Sequence, residues 1–119
     1  MSKVNWDKLE ELVYHHVGKE EGGSVMNAIT LMPTKIWMSK DMLSLVAYVH
    51  LPIDEDMIIA MNWYDRFTLE QFRILRKYIN NRKKEIHINS DPTNKTLVRW
   101  VENNGGYWLG DDMIFPKKG

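Results

Sequence analysis

Three extended runs follow one another in the middle of this chain with only short polar links between them, and that spacing restricts the fold more than any other feature. The first run is Lys35-Ile36-Trp37-Met38. The second, Leu43 to Leu51, is rich in Val, Leu and Tyr and stops at Pro52; the third runs from Met57 to Tyr64. The links Ser39-Lys40-Asp41 and Pro52-Ile53-Asp54-Glu55-Asp56 predict a three-stranded antiparallel meander. The third run is apolar at nearly every position, as expected of a central strand covered on both faces.

The flanks read as helices with a second set of strands. Asn5 can cap a helix running to about Val17, with Trp6, Leu9, Leu12, Val13 and His16 on one face. Gly18-Lys19-Glu20-Glu21-Gly22-Gly23 predicts a loop, and Ser24 to Leu31 a second helix ended by Pro33. After the meander, Thr68-Leu69-Glu70-Gln71 is a capping box. Leu69, Phe72, Leu75 and Ile79 line one face of its helix, and Arg73, Arg76 and Lys77 lie toward the other. Glu85 to Asn89 is a short strand. Asp91-Pro92 opens a helix to about Asn104, and Gly105-Gly106 stops it. Tyr107 to Leu109 and Met113 to Phe115 predict two last strands about the turn Gly110-Asp111-Asp112. A strand–helix–strand crossover after a meander gives an α/β protein with a mixed sheet and helices on both faces.

Bulk composition excludes several classes of function. The 119 residues are one domain's worth, with hydrophobic and charged contents of 44% and 27% that suit a globular core. Formal net charge is zero, so there is no global electrostatic case for nucleic acid or an anionic membrane. The absence of cysteine removes disulfides, thiolate metal sites and cysteine nucleophiles together. Met1 to Trp6 has no apolar run of signal-peptide length, and no segment approaches the roughly 20 apolar residues of a membrane span. The expected location is therefore the cytoplasm. Five tryptophans and eight methionines are expected to fill the core.

The element order is similar to that of the GNAT acetyltransferase fold less its first strand. Near the C-terminus, Asn94 followed by Trp100-Val101-Glu102-Asn103-Asn104-Gly105-Gly106 keeps that family's Asn-to-Gly spacing. The same segment also resembles the family of small internal virion proteins of short-tailed phages, which is itself GNAT-like. The resemblance implies an acetyl-CoA site at the start of the helix after the meander, where glycine-rich backbone amides hold the pyrophosphate. In this chain that slot is Tyr64-Asp65-Arg66-Phe67-Thr68-Leu69-Glu70-Gln71, which contains no glycine. Thr68 and Gln71 occupy amides that a phosphate needs, Asp65 and Glu70 add negative charge, and Arg66 is the one favourable residue. Family members often use a tyrosine on the last helix as general acid, and the matching position is Val101. The expectation is a GNAT-like protein without acetyltransferase activity that works through protein–protein contact, as a phage protein on a host or virion partner. An active enzyme is the alternative. It would use acetyl-CoA, with backbone groups of Met61, Asn62 and Trp63 on the pantetheine arm and Arg66, together with the basic residues of the following helix and its end, on the phosphates.

Other clusters are weighed on their chemistry. Arg73, Arg76, Lys77, Arg82, Lys83 and Lys84 form a basic stretch. It could bind a CoA phosphate, an acidic protein or RNA, but a solvated helix face is the plainer expectation. Trp100 and Trp108 could add stacking, with nothing to fix them near the basic residues. His15 and His16 are helix neighbours about 100° apart and cannot chelate one ion. His50 and His87 are expected on strands, His87 facing away from Ile86 and Ile88. No His–Glu spacing matches a zinc site, so no metal is expected. Asp54, Glu55 and Asp56 are expected in a solvated turn. No nucleophile elbow or Walker-type glycine loop is present.

Overall fold

The computed structural model describes residues 4–64, 66–89, 95–110 and 112–117. Asp65, Asp91, Pro92, Asn94 and Asp111, which carried expectations above, lie outside them.

The meander forms as expected. Strands β1 (Thr34–Met38), β2 (Ser44–Val49) and β3 (Glu55–Asn62) pair antiparallel in chain order. Helix α2 (Leu69–Asn80) then carries the chain to β4 (Glu85–Asn89), which lies parallel to β3. After α3 (Lys95–Asn103), β5 (Tyr107–Leu109) and β6 (Asp112–Phe115) close the sheet in the order β1-β2-β3-β4-β6-β5. β6 is antiparallel to both of its neighbours. The third strand begins earlier than its apolar run suggests, at Glu55, and ends before Trp63 and Tyr64.

The N-terminal segment departs from expectation. Asn5 caps α1 (Trp6–Leu31) by accepting the Lys8 N–H at 3.2 Å. The predicted loop after Val17 is a single break. Gly18 alone leaves helical geometry, at φ 84°, and Lys19 to Gly23 belong to the second helical arm. A positive φ costs an L side chain energy and costs glycine almost nothing, so one residue suffices to turn the axis. Gly22 stays helical because it is a contact point: a Cβ there would strike the Tyr14 ring. Leu9, Leu12 and Val13 are buried as expected, but Trp6 and His16, placed on the same face by periodicity, are exposed.

Alternation along the strands creates two cores. Val46, Tyr48, Ile58, Ile86, Ile88, Met113 and Phe115 meet Leu75 and Ile79 of α2 and Leu97 and Val101 of α3 on one face. Leu45, Ala47, Val49, Ile59 and Met61 meet Leu9, Leu12, Val13 and Ile29 of α1 on the other. β2 is buried along its whole length, and β3 has apolar residues in both cores. Among the described residues, the sheet's share of the α1 core comes from β1, β2, β3 and their flanks. On that side, His87 of β4 and Tyr107 and Leu109 of β5 lie outside both cores. α3 ends in a Schellman motif, with Gly106 N–H donating to Val101 O at 2.9 Å and Gly105 N–H to Glu102 O at 3.3 Å. Among the described residues, no helix is long and apolar enough to cross a membrane.

Candidate functional site

The junction of β3 and α2 is built around Gln71. Its backbone N–H donates to Thr68 Oγ1 and its Oε1 accepts the Thr68 N–H, both at 3.1 Å, so the expected capping box is present. The side chain is fully buried and also ties the helix to the sheet. Gln71 Nε2 donates to Met61 O at 2.8 Å and to Leu45 O at 3.3 Å, while Oε1 accepts from Asn62 Nδ2 at 3.2 Å. Asn62 Nδ2 also donates to Ser44 Oγ at 2.7 Å, and Asn62 Oδ1 accepts the Tyr64 N–H at 2.8 Å. At the start of α2, the amides of Thr68 and Gln71 are therefore satisfied from within the chain.

The residues proposed for a coenzyme divide here. Trp63 N–H donates to Leu43 O at 2.8 Å, which fixes the alternation of the β2–β3 ladder. The backbone groups of Met61 and Trp63 consequently turn toward β2, and those of Ala60 and Asn62 toward the β4 side. Among the described residues, the β3–β4 ladder ends at the pair Ile58–Ile88, whereas β3 itself continues to Asn62. The Trp63 ring stacks on His15 at 3.6 Å and 7°, and its carbonyl lies 3.2 Å from His15 Nε2. Arg66 is exposed, between Tyr64 at 70% exposure and Leu69 at 85%. Leu69 thus stands in water although periodicity put it on the apolar face of α2.

Val101 is fully buried in the α2–α3 core, so its position has neither a proton to give nor access to solvent. Trp100 is committed to the same core, with ring centroids 5.3 Å from Phe72 and 6.1 Å from Phe115. Trp108 packs there as well, and its buried indole N–H has no hydrogen-bond partner among the described residues.

The basic stretch is two populations. Arg73, Arg76, Lys77 and Lys83 are exposed. Arg82 donates from Nε to Pro116 O and from Nη1 to Ile79 O, both at 2.6 Å, and burial pulls its guanidinium below the usual range. Lys84 Nζ donates to Leu51 O and Ile53 O, both at 2.9 Å, and lies 3.6 Å from Asp56 Oδ1. Asp56 is not in a solvated turn; it is 2% exposed on β3. Tyr48 O–H donates to its Oδ2 at 2.6 Å and Leu51 N–H to its Oδ1 at 3.3 Å, with His50 Nδ1 3.5 Å away. His50 itself lies just past the end of β2. Burial, reinforced by the hydrogen bond to Asp56, pushes the Tyr48 phenol well above its ordinary range.

Glu55, also expected in that turn, opens β3 and faces Glu85 directly in the parallel register. His87, two residues after Glu85, projects from the same face, opposite to the buried Ile86 and Ile88 as expected. Its Nε2 lies 2.6 Å from Glu55 Oε2 and 2.8 Å from Glu85 Oε2. The Glu-x-His spacing on a strand was a visible signal for one half of this cluster. Glu55 joins it only through a parallel pairing across the α2 crossover, which no local pattern encodes. No protein-family model matches the chain, and no curated protein or solved structure matches it.

Proposed function

We propose that this chain is a GNAT-like protein that works by protein–protein contact and does not transfer acetyl groups. The observation that carries this is the β3–α2 junction, where a phosphate cradle would be required. Its helix start is closed by the Thr68–Gln71 capping box, and its surface offers Tyr64 and Leu69 to solvent. An exposed apolar pair beside Arg66 suits contact with a protein side chain better than with a pyrophosphate. The strand order, with a parallel step between β3 and β4 bridged by α2, supports the GNAT-like part. Buried Val101 supports the loss of general-acid chemistry. The resemblance to internal virion proteins makes a host or virion protein the partner class.

Calorimetry with acetyl-CoA tests the negative half, with no saturable heat expected; a micromolar dissociation constant would overturn it. One observation favours the active alternative. Ala60 and Asn62 turn backbone groups toward the β4 side beyond the end of the described ladder, where a pantetheine arm could pair with them. On that alternative Arg66→Ala raises the KM for acetyl-CoA severalfold, and an unchanged KM rejects it. Nucleic-acid binding through the basic stretch is less supported, because Arg82 and Lys84 are spent on carbonyls of the fold.

A further inference from the structure

We infer that Glu55, Glu85 and His87 form a binding site for a divalent transition-metal ion such as Zn²⁺. Glu55 and Glu85 are direct neighbours across the parallel ladder, and like charges so placed repel. Among the described residues, no lysine or arginine lies within ion-pair distance of either carboxylate. Among the described residues, the partner that the two carboxylates share is one imidazole nitrogen. His87 Nε2 is 2.6 Å from one carboxylate oxygen and 2.8 Å from the other. A single ring nitrogen carries at most one proton and can point it at one acceptor. The second oxygen is then held against the first with little to offset the repulsion. A doubly charged ion in the middle removes that conflict.

The geometry is close to what such an ion requires. One ligand atom from each of the three residues lies within 4.8 Å of the others. Zinc binds imidazole nitrogen and carboxylate oxygen at about 2.0–2.2 Å, so tetrahedral ligand atoms sit roughly 3.4 Å apart. Moving each carboxylate away from Nε2 by under about 1 Å admits the ion, a shift within the reach of side-chain torsions. The metal would take the Nε2 lone pair, which leaves the ring proton of the neutral imidazole on Nδ1. One nitrogen and two oxygens match zinc, manganese or cobalt better than calcium or magnesium. All three side chains are partly exposed, and the site lies on the side of β4 that the α1 core does not reach. A fourth position is therefore open to water or to a partner's side chain.

The test is calorimetric titration of the whole chain, stripped with chelator, using ZnCl₂ alone. The expected result is one equivalent bound with micromolar or tighter affinity, and a rise in Tm with zinc. Glu85→Gln, nearly isosteric, and His87→Ala should each weaken binding at least tenfold, with far-ultraviolet circular dichroism reporting that each variant is folded. His16→Ala, on the exposed side of α1, should bind as the unmodified chain does. No saturable binding to the unmodified chain would overturn the inference, leaving a histidine–carboxylate ion triad. Undiminished binding by folded Glu85→Gln and His87→Ala would overturn it equally.

Discussion

Gln71 shows how much one polar side chain can carry once every group on it is paired. A buried amide without partners is costly, and here both ends of the amide are engaged, to the helix start on one side and to β2 and β3 on the other. Gln71→Ala leaves the Thr68 N–H and one Asn62 proton short of an acceptor and opens a cavity. The expected loss is about 2–4 kcal/mol in urea unfolding. Tyr48 makes a prediction about pH. Burial and the Asp56 hydrogen bond both favour its protonated form in the fold, whereas in the unfolded chain it titrates at about pH 10. Above that pH the unfolded state holds fewer protons than the native state, so stability falls as pH rises. Its contribution is complete below about pH 10 and is lost with increasing alkalinity. Urea midpoints measured from about pH 9 to about pH 11 should fall more steeply for the unmodified chain than for Tyr48→Phe. Equal slopes would mean that Tyr48 is not the group responsible.

At the scale of elements, what was legible in the sequence was what short-range chemistry decides. Thr68 and Gln71 spell a capping box with a two-way hydrogen-bond logic, and the box forms. The meander followed from link length, and the Gly105-Gly106 stop from left-handed capping. The glycine cluster after Val17 misled because glycine serves two opposite purposes in six residues. Gly18 breaks the helix, while Gly22 lets two helical arms close on Tyr14. Composition cannot distinguish those uses. Gly18→Ala has room for its Cβ, with nothing within 4 Å, so its cost is the backbone conformation alone. About 1–2 kcal/mol should be lost in urea unfolding, without change in the helical signal at low denaturant. The site was legible in the same proportion. The closed helix start and Val101 could be read locally. The division of Met61 to Trp63 between two sheet edges, and the joining of Glu55 to Glu85 and His87, are matters of register set by distant strands.

Across the whole molecule, β2 and β3 place buried residues in both cores, and that determines how the fold should come apart. Val46 and Tyr48 face α2 while Leu45, Ala47 and Val49 face α1, so neither core can open without disturbing strands that the other needs. Gln71 strengthens the coupling, since it hangs α2 on carbonyls of Leu45 and Met61, two residues of the α1 core. Unfolding should therefore be two-state. Leu12 belongs to one core and Leu75 to the other, each about 1% exposed. Leu12→Ala and Leu75→Ala should each cost roughly 2–5 kcal/mol. Each should shift the urea midpoint by the same amount in tryptophan fluorescence, which samples Trp100 and Trp108 in one core and Trp63 in the other, and in far-ultraviolet circular dichroism. If Leu12→Ala instead separated the two signals, the α1 layer would be melting ahead of the sheet. The side of β4, β6 and β5 that the α1 core does not include, with Glu55, Glu85 and His87 at its border, would then belong to the more persistent part of the molecule.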